Sequence, residues 1–480
     1  MSGLKSRTIG LIGMIAVGGV PQLWAQQDVH VATTAERHSV VGDSIRTPID
    51  TIASLTARVE QLDQQVRILN RLHEISADSA AAAAKDKQSV TANAKDGFGL
   101  KSADGKYSLR LRGYVQGDGR FFASDEAVPA TDNLLLRRVR PILEGYVGRY
   151  FGFRLMPDFG GTSPAIFDAY FDGNFTPAFT VRAGKFKPPI GLERLQSAQD
   201  IMFAERGLPN NLVPSRDIGL QFAGDISEGL FAYQAGVFNG VADLANGGDD
   251  LSDAKDFAAR VFIQPFKSGS FRPLGVGIAG STGLERASIT STGLPSYRTP
   301  GQSTLFKYGS STTTPANNVF ADGRRIRIAP QGYFYSGPFG LLGEYTISRS
   351  TVNKAGAVAE LEHKAWQAEG SFFLTGEKNS FKSPTIKKPF DLTEGSRGFG
   401  AIELVARYGE LKLDPASFPT YASLTTSVQD AKAWGVGVNW HFTRAVKVMV
   451  DYEHTTFTGG ATTGDREPEN AVITRFQTSF

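Results

Sequence analysis

The chain has 480 residues, a net charge of +3 from 51 basic and 48 acidic side chains, no cysteine, and many aromatics and glycines (33 Phe, 14 Tyr, 53 Gly). Length alone allows two or three soluble domains. The small charge gives no footprint for nucleic acid, the absence of cysteine rules out a disulfide scaffold, and a mean hydropathy of −0.19 suits strands that show one face to lipid and the other to water.

In chain order, Lys5 and Arg7 stand before an apolar run from Ile9 to Val20, and Pro21, Leu23, Trp24 and Ala25 lead into Gln26 and Gln27. That is the charged, apolar and small-residue succession of a Sec signal peptide, so residues 1–25 are expected to be removed after Ala25 during export. The alternative, an uncleaved anchor helix, has too short an apolar run to cross a bilayer comfortably. Beyond residue 25 nothing approaches the roughly 18 to 20 consecutive apolar residues of a spanning helix. Residues 26–50 form a linker. Within 51–75, Ile52, Leu55, Val59, Leu62, Val66 and Leu69 alternate steps of three and four, a heptad seam that predicts a short coiled coil. A lone amphipathic helix lying on another surface is the alternative. The Ala, Ser, Lys and Asp run that follows makes 76–104 a polar linker or a weak helix.

From residue 105 to the end the period becomes two. Leu109, Leu111, Val115 and Phe121 share one face, and Arg110, Arg112, Tyr114, Gln116, Asp118 and Arg120 share the other, the apolar-out, polar-in dyad of a membrane barrel. The next run sets Leu135, Val139, Leu143 and Val147 against Arg138, Arg140, Glu144 and Tyr146; the one after sets Phe151, Phe153, Leu155 and Phe159 against Arg154, Met156 and Asp158. The pattern continues near 166–173, 178–186, 218–225, 230–239, 257–266, 274–282, 324–335, 339–348, 364–375, 400–411, 432–442, 445–457 and 471–480. The expected fold class is all-β, a transmembrane antiparallel barrel of about 16 strands, preceded by the short α-helical coiled coil. Short connections at 148–150, 174–177, 336–338 and 443–444 are expected at the periplasmic end, and long ones at 187–217, 283–323, 354–362, 377–397 and 414–430 outside. A soluble sandwich would alternate too, but charged inward faces on nearly every strand leave it no apolar core. Val472, Thr474, Phe476, Thr478 and Phe480 alternate to the end of the chain as a closing strand.

Several segments resemble the phosphate-selective porin O and P family: 109–122 (LRLRGYVQGDGRFF), 137–159 (RRVRPILEGYVGRYFGFRLMPDF), 168–175 (DAYFDGNF), 182–195 (RAGKFKPPIGLERL) and the closing region 434–457. The resemblance implies a homotrimer of barrels in outer-membrane lipid, each with an arginine-lined path narrowed by a long third loop. Carried onto this sequence, it implies an anion pathway along Arg110, Arg112, Arg138, Arg140, Arg154 and Arg182, joined by Arg325 and Arg327. It also implies a constriction loop from Lys185 through Asp217 that bears Lys185, Lys187, Arg194, Arg206 and Arg216. The implied solutes are small inorganic anions, phosphate or oligophosphate, and no cofactor or metal is expected.

Arginine suits such a path because its planar fork holds phosphate oxygens bidentately and never loses its charge. Against it, Asp118, Glu144, Asp158, Asp168, Asp172, Glu344, Glu369, Glu403, Asp451 and Glu453 also point inward on this pattern, and a lumen of mixed charge makes a weakly selective diffusion pore. A third reading is a structural barrel tethered to the cell wall through the coiled coil. The six histidines show no metal-ligand spacing, and there is no G-x-S-x-G, Walker or H-E-x-x-H motif, so no enzyme is expected. His441 beside Trp440 is the single candidate for a hydrolase, and reads better as a polar lumenal residue.

Overall fold

A computed structural model describes residues 48–85, 89–93, 97–123, 131–247, 253–266, 268–269, 271, 273–393, 395 and 397–480. The expected signal peptide lies outside these residues, as does nearly all of the 26–50 linker. The heptad segment falls within one helix, α1 (Pro48–Lys85), whose seam residues from Ile52 to Leu69 are all exposed. The chain divides into two units at Asp78 and Ser79.

Where a polar linker or a weak helix was expected up to residue 104, α1 continues to Lys85 and a hairpin follows, β1 (Ser89–Asn93) and β2 (Gly97–Lys101). The hairpin exists because the first barrel strand offers a free edge: β2 pairs with Ser108 to Leu111, below the point at which the last strand stops.

The barrel strands are β3 (Ser108–Phe122), β4 (Asn133–Val147), β5 (Phe151–Asp158), β6 (Ala165–Thr176), β7 (Phe179–Phe186), β8 (Asp217–Ile226), β9 (Phe231–Phe238), β10 (Asp256–Ile263) and β11 (Leu274–Arg286). A loop hairpin, β12 (Ser296–Arg298) and β13 (Thr304–Lys307), intervenes before β14 (Phe320–Ser336), β15 (Phe339–Lys354), β16 (Ala357–Phe373), β17 (Ala401–Lys412), β18 (Val428–His441), β19 (Val446–Gly459) and β20 (Glu469–Ser479). Successive barrel strands pair antiparallel, and β20 pairs with β3 from Ala471↔Phe122 to Ser479↔Tyr114, so a 16-strand barrel closes. Each of the expected strands has its counterpart. At the seam Gly113 and Phe480 exchange two backbone hydrogen bonds of 3.0 Å. A Cβ on Gly113 would stand 2.8 Å from the Phe480 ring and 2.9 Å from a carbonyl, so only glycine fits there.

The outer face is apolar, with Leu134 81% and Phe171 73% exposed, as lipid-facing positions must be. Near the short turns, Phe175 lies 6.1 Å from Tyr150 and 6.0 Å from Phe179, and Phe179 6.2 Å from Phe222, an interfacial aromatic belt.

Two connections differ from expectation. Residues 357–362 are not a loop: β15 and β16 are joined by Ala355 and Gly356 alone, both at positive φ (50° and 90°), a tight turn that matches the strand twist. The long segment between β16 and β17 sits at the periplasmic end, not outside, since it shares its end with the turns after β4, β6, β14 and β18. From there it reaches inward: the Phe381 carbonyl accepts from Gln196 Nε2 at 3.0 Å, and Ser383 N donates to Asp200 Oδ1 at 3.1 Å.

Candidate functional site

The third exterior loop, residues 187–216, leaves β7 and crosses the lumen to the opposite wall before returning to β8. Leu192, Met202 and Phe203 cluster with Leu342 and Val405. Leu208 and Leu212 pack with Tyr297, Leu305 and Phe306 of the β12–β13 hairpin and with Val352 and Leu361. Burial of this kind contributes about 1.5–3 kcal/mol per large side chain, enough to hold a loop in a water-filled barrel. Polar groups set its register. Glu344 accepts from Leu192 N at 2.6 Å, Asp451 from Ala204 N at 2.6 Å, and Asn439 Nδ2 donates to the Met202 carbonyl at 2.8 Å. Gln367 Nε2 donates to Glu193 at 2.9 Å and to Glu344 at 3.1 Å.

The strongest clamp is Glu205, which no pattern in the sequence singled out. Its carboxylate accepts from Arg120 at 3.2 Å, Arg138 at 3.2 Å, Arg475 at 3.2 Å and Arg137 Nη2 at 3.0 Å. Burial alone would raise its pKa, but Arg137, Arg138 and Arg475 outweigh that and hold it well below the usual glutamate range. Arg137 reaches the lumen through a β-bulge: the register passes from Gln116↔Arg138 to Gly117↔Leu136, so Arg137 has no partner across the sheet and both arginines face in.

The arginines nominated from the sequence are all paired. Glu144 holds Arg110 at 4.0 Å, Arg112 at 2.8 Å and Arg154 at 3.1 Å. Arg138 serves Glu205, and Arg140 binds Asp158 at 2.8 Å and the Tyr114 hydroxyl at 2.8 Å. Arg182 meets Asp172 through two bonds of 2.7 and 3.0 Å and covers the Tyr170 ring at 4.0 Å. Arg325 bonds Glu285 at 2.5 Å, Arg327 bonds Asp243 at 2.6 Å, and both donate to the Val241 carbonyl. These two fasten the fourth loop and do not line the cavity described next.

Four of the five loop cations converge. Lys187, Arg194, Arg206 and Arg216 line one lumenal cavity of about 860 Å³ along β4–β10, whose described lining holds eleven basic side chains and only three carboxylates, Asp168, Glu205 and Asp243. Arg216 bonds Asp168 at 2.7 Å. Among the described residues, Lys187, Arg194 and Arg206 have no carboxylate partner: Lys187 donates to the carbonyls of Leu195 and Gln196 (3.2 and 2.8 Å), Arg194 to that of Asn210 (3.3 Å), and Arg206 to those of Glu193 and Gln196 (3.1 and 2.8 Å). Burial, then Arg216 and Arg206, push the Lys187 pKa well below the usual lysine value, and burial with Arg206 and Arg216 pushes Arg194 down too. Mutual repulsion among buried cations is relieved by an anion. Lys185, expected in the loop, instead belongs to β7 opposite Ala169 and Ile218, on the face alternate to Arg182 and Phe186.

The sequence also missed Arg260 and Arg298, which line the same cavity. Their signal was a β-strand alternation for Arg260 and none for Arg298, which sits in a loop hairpin. His441 is buried 3.1 Å from Glu403 and packs on Phe373.

Comparison with solved structures finds the channel DcaP of Acinetobacter baumannii (TM-score 0.49, 12% identity, 79% of this chain and 99% of that one). It also finds an anion-selective porin from Comamonas acidovorans (TM-score 0.48, 13% identity, 78% and 100%). In sequence, Porin O of Pseudomonas aeruginosa is 24% identical over 423 residues, 82% of this chain and 93% of that protein. Residues 109–480, nearly the whole barrel, match the sequence model of the phosphate-selective porins O and P. The chain therefore belongs to the phosphate-selective porin O and P family and is a channel of the bacterial outer membrane.

Proposed function

We propose that the channel passes small anions, phosphate among them, and that selection occurs where the third loop presents Lys187, Arg194, Arg206 and Arg216 to the β4–β10 wall. One observation carries this reading: three of those cations lack a carboxylate partner among the described residues, whereas every arginine nominated on the barrel wall has one. Fixed charge in a narrow, poorly screened passage raises the local concentration of the opposite ion. The wall arginines Arg140, Arg154 and Arg182 add to that field but are each tied to an acid. The resemblance to the family supports a homotrimer, export by a signal peptide at 1–25, and pairing of α1 with its copies through the heptad seam.

The pairing of the wall arginines also favours a second reading, a weakly selective pore. Reversal potential in a KCl gradient across a planar bilayer separates the two. An anion-selective potential, with chloride current blocked by added phosphate, supports the loop site; weak selectivity without block leaves a general diffusion pore.

A further inference from the structure

The same cavity has an amide-bearing side whose acceptors a bare anion cannot use. Midway along β7–β10, Arg182 stands opposite Gln221 across β7 and β8, and Gln234 stands opposite Arg260 across β9 and β10. All four line the cavity. Gln221 is 4% exposed, and its Oε1, that of Gln234 and the Oδ1 of Asn210 above them are buried without a donor among the described residues. Arg260 lies over the Phe262 ring at 4.4 Å, has no carboxylate partner among those residues, and keeps an unpartnered Nε. The opposite wall is different. There Gln116 donates to the Ala198 carbonyl at 3.0 Å and accepts from Arg138 at 2.7 Å, so its amide is used up in holding the loop.

An amide turned either way presents a donor and an acceptor. Chloride or sulfate offers acceptors only, so it can meet the guanidiniums but leaves buried amide oxygens unsatisfied, which carries a penalty. A solute that joins an anionic group to several hydroxyls satisfies both. We propose that Gln221, Gln234 and Arg260, with Asn210, form a hydroxyl-recognising subsite beside the loop cations, and that the channel's preferred solutes are phosphorylated polyols and sugars. The inference rests on the anion passage proposed above. The cavity volume of about 860 Å³ lies in the range that holds small organic ligands.

The test titrates the chloride current of the full-length channel in a planar bilayer with sulfate, phosphate and glucose 6-phosphate. Glucose 6-phosphate is expected to half-block at the lowest concentration and sulfate at the highest. In Gln221→Met with Gln234→Met, the half-blocking concentration of glucose 6-phosphate should rise about tenfold, and that of sulfate should stay within about twofold. Glucose 6-phosphate blocking no better than sulfate in the native channel overturns the subsite, as does a shift of all three blockers together in the variant, which is what a general distortion of the passage would give. If neither sulfate nor phosphate blocks the native channel, the anion passage itself falls and the subsite with it. Should the double variant fail to insert, Gln234→Asn keeps the amide but withdraws it, and is expected to weaken glucose 6-phosphate block alone; an unchanged block refutes the proposal.

Discussion

Strands β4–β10 and strands β14–β20 enclose one lumen and carry similar residues, arginines, carboxylates and amides, yet the two walls use them for opposite ends. On β14–β20 and the adjoining β3, Glu344, Asp451 and Asn439 are consumed in bonds to the third loop's backbone, and Arg475 joins Asp118 at 2.7 Å as well as Glu205. On β4–β10 the loop turns its cations outward, and a cavity remains. Of the inward carboxylates that counted in the sequence against anion selectivity, Glu344 and Asp451 thus clamp the loop backbone, and Asp118, Glu144, Asp158, Asp168 and Asp172 are each paired with arginine. The lesson is that lumenal charge must be sorted by partner before it is summed.

The largest effect should come from breaking the clamp. Glu205→Gln leaves Arg120, Arg137, Arg138 and Arg475 with Asp118 as their remaining acid, and losing one partner of a buried ionic cluster costs about 3–5 kcal/mol. The thermal transition in detergent should fall, and single-channel conductance should rise as the loop leaves the lumen. Unchanged conductance would mean that the apolar contacts of Phe203 and Leu208 hold the loop unaided.

Next in size is the removal of free charge. One cation at contact offers an anion about 4 kcal/mol at an effective dielectric of 20, so Arg194→Met with Arg206→Met should lower the chloride-to-potassium permeability ratio about tenfold or more, read from reversal potential. A ratio that holds would move selection to the wall.

How much of this was legible in the sequence differs between the walls and the loops. All barrel strands showed, because a strand with one face in lipid and one in water has no other pattern open to it. The position of 377–397 was also available: alternate connections must lie at alternate ends, so two successive ones, 354–362 and 377–397, could not both be exterior. The polar character of Glu360 and Glu362 on a strand that runs past the membrane hid the tight turn at Ala355. Arg137 was not legible, because alternation assigns it to the outer face and only the bulge brings it in. Nor was Glu205, since what makes it a hub is the arrival of four arginines from β3, β4 and β20, separations no local pattern encodes.

A pH titration gives a smaller, graded effect. Burial and the neighbouring Arg216 and Arg206 lower the Lys187 pKa. A lysine with a depressed pKa is charged at low pH and loses its proton as pH rises, below the usual value of about 10.4; arginines stay charged throughout. Anion selectivity should therefore fall in one step on the alkaline side, at a pH lower than a free lysine would give. In Lys187→Arg the step should vanish, with selectivity kept at high pH. A step that persists in that variant belongs to another group.

Least should come from the rim. Arg112 is one of three guanidiniums on Glu144, with Arg154 at 3.1 Å and Arg110 at 4.0 Å, and its side chain is 29% exposed. In Arg112→Met the acid keeps two cations, and Arg110 needs only to close a short gap to take the vacated place, so the change in stability should stay within about 1 kcal/mol. Because the charge removed sits on Glu144 and does not line the cavity, the permeability ratio should move by less than about twofold. A loss as large as that from Arg194 and Arg206 would show that paired arginines on the wall hand anions along after all, and would erase the distinction between a clamped wall and an open one.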